Sequence, residues 1–472
     1  MIVDADRGAF SPGQAKVRLD ALGEFGRDSQ LRLVSRQEPD GLNQTSLGRA
    51  DDRHFFMGRW RRDHVLAVLS TFNPDWRKHF RKLNNPEYAK RNGPGKTDDE
   101  FCQATLTRLL DLQWEPEQMR RLQSRPGDED LVDTMYRLKG GNLPCVRYDR
   151  YPKSGGLRVH RLWGHDQIDS MASELTGNAI AIQKGMDILS SPRGSDKPRA
   201  VALEETALHL NEGKIMERSC IGVWEQGYAR IPWYSAKVAL LAQLHLRREG
   251  VLETIHDHLR FAGRQPRLTR QKLDDSIGQL IWQVPKLLNG EINGIPGNFS
   301  TRWGHDGVDA SILLLLPGQN LSWSELQVAL EHRKKLKTKD GPNGEKRKGY
   351  YRFQGDDWQR GVLEPGSWTL LNAYTSEYDF EQASEAFQDG RVEEGDAFVG
   401  SGWSDMSEVI ELNEEHGYVP EILRDLVGNG SQKPNDNELA WFRGAVRGSC
   451  AKGISAILAQ LQAHNAMSRL SH

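Results

Sequence analysis

Apolar residues recur at three- and four-residue intervals from one end of the chain to the other, and strand-type alternation is scarce. That pattern points to a chain of helices. The first such stretch, "SPGQAKVRLDALGEF", offers Ser11 as an N-cap and Pro12 at the first helical position, with Val17, Leu22 and Phe25 expected on one face. The same reading covers "HVLAVLSTF", "DEFCQATLTRLLDLQW", "DEDLVDTMYRLK", "IDSMASELTGNAIAIQKGMDIL" and "LEETALHLNEGKIMER". It continues through "YSAKVALLAQLHLRREG", "VLETIHDHLRFAG", "RQKLDDSIGQLIWQVPKLL", "VDASILLLL", "WSELQVALEHRKK", "WTLLNAYTSEYDFEQASEAF" and "LAWFRGAVRGSCAKGISAILAQLQAH". The best strand candidate is "LRVHRLW". No low-complexity tract or charge block marks a boundary, so residues 1–472 read as a single domain. About a dozen helices exceed a simple bundle. One way to bury so many amphipathic faces is an all-α (α/α) barrel of six hairpins, an inner ring of helices enclosed by an outer ring. Loops at the N-terminal ends of the inner helices then carry the functional residues, beside the positive ends of the macrodipoles.

Composition removes several alternatives. The net charge of -2 argues against a bulk electrostatic partner, either nucleic acid or an anionic membrane. The cysteines Cys102, Cys145, Cys220 and Cys450 lie far apart, which indicates neither a disulfide framework nor a zinc knuckle. The opening "MIVDADRGAFSPGQAK" has early acids and no apolar core, unlike a secretory signal. The longest apolar run, "ILLLLP", is too short to span a bilayer. A cytoplasmic protein is the default expectation. The unusual number is 13 tryptophans. Indole rings stack on the apolar faces of pyranose rings and also fill large cores.

Candidate sites are clusters of aromatic and acidic residues. They are "WRRDHVLAV" (Trp60, Arg62, Asp63), "LPCVRYD", "WGHDQID" (Trp163, Gln167, Asp169), "VWEQG" (Trp224, Glu225), "WGHDGVDAS" (Asp309), "YYRFQGDDW" (Arg352) and "HGYVPEIL" (Tyr418, Glu421). The segments beginning at Trp163 and Trp303 share the pattern W-G-H-D-x-[IV]-D, an internal echo that suits pseudo-symmetry. His165–Asp166 and His305–Asp306 lack a third close ligand, so no metal site is expected. "HDH" at 256–258 and the basic stretch 331–349 read as solvated surface. No phosphate-binding loop, dinucleotide fingerprint or nucleophile elbow is present, and no cofactor is expected.

In their order and spacing, "RDHVLAV", "WGHDQID", "WEQG", "VDASILLLLP" and "YRFQGDDW" resemble the catalytic barrel of glycoside hydrolase family fifteen. The family holds glucoamylases and glucodextranases, and the barrels of the phosphorylase kinase α and β subunits are similar to it. The resemblance spans roughly residues 15 to 465. It implies an (α/α) six-hairpin barrel that hydrolyses α-glucosidic bonds from the non-reducing end with inversion. Its partner would be a small carbohydrate, an α-glucoside or oligosaccharide; oligomeric state stays open.

Inversion needs two carboxyls roughly 6.5–9.5 Å apart, one protonated and one ionised. By the resemblance Glu225 is the general acid, and its aromatic neighbours would keep it protonated by desolvation. The next position is Gln226, where many members carry a second acid. The family's base lies in a Pro-Glu-Gln context before the last hairpin; here Pro420–Glu421 is followed by Ile422. Glu411, Glu414 and Glu415 sit on a solvated helix face and are weaker candidates. Arg62 and Asp63 would grip the terminal sugar, with the carboxylate accepting from hydroxyls and the guanidinium donating in a fixed fork. Arg352 matches a further sugar-contacting arginine, and Trp60, Trp163 and Trp224 would line the subsites. Asp169 and Asp309 are expected to hold helix N-termini or order loops. Each of these residues also has a structural reading: loop acid or cap for Glu225, ion pair for Arg62–Asp63, core partner for Arg352, packing for the tryptophans. Two further functions stay open, a catalytically impaired binding or regulatory barrel and an inverting phosphorylase in which phosphate replaces the base.

Overall fold

The computed structural model describes residues 10–35, 46–48, 55–59, 61–80, 98–112, 146–150, 157–162, 168–191, 198–211, 215–217, 219–221, 223–224, 228–292, 308–339, 344, 346–353, 366–425, 432–434 and 437–470. Its helices are α1 (Pro12–Ser35), α2 (Arg61–Leu69), α3 (Pro74–Phe80), α4 (Asp98–Leu112), α5 (Ile168–Gln183), α6 (Arg199–Asn211) and α7 (Trp233–Leu246). They continue as α8 (Val251–Phe261), α9 (Arg270–Leu288), α10 (Trp323–Leu336), α11 (Leu370–Gln388), α12 (Val392–His416) and α13 (Ala440–Leu470). Strands are short, and the sequence candidate near 157 is one of them, Leu157–Leu162. The expected helix "DEDLVDTMYRLK" lies outside the described residues. No helix among the described residues is long and apolar enough to cross a membrane. The cysteines Cys102, Cys220 and Cys450 are buried.

The chain divides into two compact units. The first takes residues 1–35, 69–95 and 312–472, and the second takes 36–68 and 96–311.

In the first unit α11 packs against α12 and α13, and α13 also packs against α1 and α3. The contact is close because glycines face a ring. A Cβ at Gly402 on α12 would stand 2.9 Å from Phe380, and one at Gly453 on α13 would stand 2.8 Å from it. Phe380 is therefore gripped by two backbones, and any larger residue at either glycine must displace a fully buried ring. On α1 the buried stripe is Ala15, Leu22, Phe25, Ser29 and Leu33. Val17, expected on that face, is instead 66% exposed. Five residues of helix turn the chain by about 140° between Val17 and Leu22, which carries Val17 off the stripe.

The second unit shows two kinds of helix. In α7 almost every side chain is buried, from Trp233 and Tyr234 to Leu246, and α5 is buried nearly as completely. A helix apolar all round has neighbours on every side. In contrast α8 buries only Val251, Leu252, Ile255 and Leu259, a single stripe. The helices α5 and α7 pack on each other, α7 also meets α9, and α6 meets α4, α5 and α8. The run "VDASILLLL", whose residues from Ile312 on belong to the first unit, is not an α-helix: Ala310–Leu315 forms a 3₁₀ segment whose residues are buried. Six residues ending before a proline-led turn are too few for a stable α-helix, and the tighter winding suits short pieces.

One buried group in the first unit gives the fold a pH signature. Lys452 on α13 lies 3.2 Å from Glu381 and 3.3 Å from Asp75. Glu377, one turn before Glu381, receives only the weaker Asn73 amide at 3.3 Å. Burial first, then the Glu381 charge, push the Glu377 carboxyl up to about 8 from an ordinary value near 4.5. The native state thus holds a proton that the unfolded chain releases, so stability declines as pH rises from about 4.5 to about 8. Glu377→Gln, which keeps the neutral shape, should flatten that decline and be the more stable protein at pH 8.5. Urea titrations of both proteins from pH 5 to 8.5 check this; parallel curves would contradict it.

Candidate active site

The strands Ser219–Ile221 and Tyr228–Arg230 pair antiparallel, with Ile221 opposite Tyr228. Between them stands Trp224, buried in a turn. Its indole Nε1 donates to Asp309 Oδ1 at 2.9 Å, and the same oxygen accepts the Ser311 N–H at 2.7 Å. Asp309 thereby starts the 3₁₀ segment and holds Trp224 in place, the ordering role expected of it. Its counterpart in the echo, Asp169, is also fully buried at the start of a helix, α5. Trp224 is buried, with the polar edge of its indole committed to Asp309. Glu225 follows directly in sequence and lies outside the described residues, as do Trp60 and Trp163. Arg62 and Asp63 fall in the first turn of α2, and their side chains lie outside the described residues.

In the first unit, the other two candidates lie in the chain next to a small sheet. Gly366–Trp368 pairs antiparallel with Ile422–Asp425, which pairs in turn with Gln432–Pro434. On the opposite side Tyr350 bridges to Trp368, with Trp368 N–H donating to Tyr350 O at 2.7 Å. Arg352 follows two residues later. It is 2% exposed, and its guanidinium lies 5.1 Å from the centre of the Trp368 ring and 5.3 Å from that of Phe353. A guanidinium over aromatic faces is favourably placed for cation–π attraction.

Glu421 is half-buried and precedes Ile422, which faces Trp368 across the sheet. The backbone around it is pinned. Thr369 Oγ1 donates to Pro420 O at 2.5 Å, and Val419 N–H donates to Glu438 Oε1 at 2.9 Å. Glu438 is held in turn by Arg443 Nε at 2.7 Å. These bonds fix the backbone immediately before Glu421. The three rival acids, Glu411, Glu414 and Glu415, are exposed as expected.

Sequence reasoning missed what lies under this sheet. Asp405 on α12 accepts from Lys337 Nζ at 2.8 Å, Arg333 Nη2 at 3.0 Å, Tyr350 Oη at 2.9 Å and Thr375 Oγ1 at 2.6 Å. Arg333 also forms a two-pronged pair with Asp379, both contacts at 2.6 Å. Glu408 accepts from Lys337 Nζ at 2.9 Å, Asn372 Nδ2 at 2.7 Å and the Gly349 N–H at 3.0 Å. Burial alone would raise Asp405, but Lys337 and Arg333 outweigh it and hold the carboxyl below its ordinary value. Burial would lower Lys337, and Asp405, Tyr350 and Glu408 instead hold it above its usual range. Burial and then Asp405 push the Tyr350 hydroxyl up to about 12, so it stays a donor. The stretch 331–349 is therefore not a wholly solvent-facing loop. It opens as the last turn of α10, with His332 buried and Arg333 and Lys337 in the network. No local pattern in "EYDF" or "SDMSEV" marks Asp379 and Asp405 as buried, because the partners that satisfy them lie far away in the chain.

No family model matches the chain, and no curated protein matches it. Among solved structures, it is similar to the glucoamylase from Saccharomycopsis fibuligera, with a TM-score of 0.58 at 13% identity over 98% of this chain and 97% of that one. The fold is an all-α (α/α) barrel, as the sequence led one to expect. A D-mannose isomerase structure also aligns, at 12% identity over 95% of this chain and 99% of that one, with a TM-score of 0.45.

The Trp224–Asp309 contact is directly testable. Trp224→Phe keeps an aromatic ring and removes one donor to a buried carboxylate, which should cost about 2 kcal/mol of unfolding free energy. Urea denaturation should show a lower midpoint at unchanged slope; an unchanged midpoint would mean that the indole and the carboxylate do not meet.

Proposed function

We propose that the chain is an inverting glycoside hydrolase that releases glucose from the non-reducing end of α-linked glucosides or oligosaccharides. The observation that carries the reading is that a glucoamylase shares this fold along nearly the whole of both chains. The ordered motif series adds residues to the fold. The fixed mounting of Glu421 is consistent with the role of base.

In this reading the whole chain acts as one catalytic domain in the cytoplasm. Arg62, Asp63 and Arg352 bind the hydroxyls of the terminal sugar, and Trp60, Trp163 and Trp224 wall the cleft. Glu225 begins protonated and gives its proton to the glycosidic oxygen as the bond to the anomeric carbon breaks. Glu421 takes a proton from water, whose oxygen attacks the opposite face of that carbon. Glucose leaves with its anomeric configuration inverted; Glu225 then takes up a proton from solvent and Glu421 gives one up, which restores the pair for the next cycle.

A panel of α-linked disaccharides with glucose release as readout tests the activity. Release from at least one linkage is expected without added phosphate; release only with phosphate present would identify a phosphorylase, and none at all would leave a binding or regulatory barrel. Glu225→Gln should reduce turnover of a natural glucoside far more than that of an activated one, because a good leaving group needs no proton. Equal losses on both would remove Glu225 as the acid. Glu421→Gln should abolish turnover of both, and an unaffected rate would place the base elsewhere.

A further inference from the structure

Tyr350 joins the buried ion network to the segment that carries Arg352. Its ring is buried, and its hydroxyl donates to Asp405 Oδ2 at 2.9 Å and accepts from Arg333 Nε at 3.4 Å. Lys337 Nζ lies over the same ring, 4.7 Å from its centre. The backbone of Tyr350 is shared on both sides: it bridges to Lys337 and to Trp368. Tyr351 N–H donates to Leu336 O at 2.9 Å, and Gly349 N–H donates to Glu408. The short segment is thus tied to α10, α12 and the sheet at once. Trp368, the partner of Tyr350, supplies the ring on which the Arg352 guanidinium rests.

We propose that Tyr350 is a positioning residue: its hydroxyl, held by Asp405, fixes the pairing of Tyr350 with Trp368 and so the seat of Arg352. The inference rests on the reading of Arg352 as a contact to the terminal sugar. A guanidinium donates to neutral sugar hydroxyls only when its plane and depth are set, and a long side chain does not set them alone. The network provides the fixed end, because a carboxylate with four donors has little freedom to move. Releasing the phenol hydroxyl lets the strand pair shift, and Arg352 shifts with it. A grip made equally on substrate and transition state acts on KM and leaves kcat in place.

Tyr350→Phe keeps the ring and the Lys337 contact and removes only the hydroxyl. On the best disaccharide of the panel it should raise KM about tenfold with kcat within about twofold of the parent. Hydrogen exchange of segments 346–353 and 366–369 should speed up. Ser455→Ala, which removes the donor to Asp75 and the contact to His79 far along α13, is the control for lost stability alone. It should leave both KM and the exchange of those segments unchanged. Unchanged exchange in Tyr350→Phe overturns the proposal, and so does faster exchange with unchanged KM in an active enzyme. If the parent hydrolyses nothing in the panel, the functional reading has failed on its own. Exchange then still decides whether the hydroxyl fixes the Tyr350–Trp368 pair.

Discussion

Asp405 sits in the interior of the first unit with Lys337 and Arg333 both within 3.0 Å, and a carboxylate could not be buried there without them. The two cations are themselves half-buried and reach in to the acid. The constraint reaches well beyond one pair. Because the cations come from α10 and the acids from α11 and α12, these helices must meet in one register for any charge to be satisfied. Tyr350 and Gly349 enter the same network, so the segment they belong to is joined to the helices by the same rule. The small sheet meets that segment through Trp368, with Arg352 and Glu421 in the chain next to these pairings. Buried networks of this kind specify an arrangement more than they stabilise it.

Apolar packing around the network tightens the same arrangement. Gly402 and Gly453 bring α12 and α13 against Phe380, and Gly395 is equally close to Phe387. The second unit uses a smaller version of the polar device. There Asp309 ties an indole and the start of a 3₁₀ segment to a single carboxylate oxygen.

Much of this was legible in the sequence, for physical reasons. The helices α5, α7, α11 and α13 were expected because their apolar residues repeat with the helical period over long stretches. The N-terminal half of α12 was not expected, since "GDAFVGSGWSD" is rich in residues that favour other conformations. Two of those glycines are there for close helix contact, a reason visible only in three dimensions. Arg333 and Lys337 looked like surface charge because their partners lie 46 and 68 residues away in the chain. The site was legible in part. Asp309 took the ordering role assigned to it, and Glu421 proved to be anchored in a way no local pattern reveals. Glu225, Trp60 and Trp163 lie outside the described residues, so their roles stand on the motif series alone.

In the proposed reaction two carboxyls act on opposite sides of one anomeric carbon. Its stereochemical outcome follows from water attacking the face opposite the departing sugar. Proton NMR of the first glucose released from an α-linked disaccharide, recorded before mutarotation, reads it directly. The account predicts the β-anomer first; the α-anomer first would show that the two carboxyls do not work as an inverting pair.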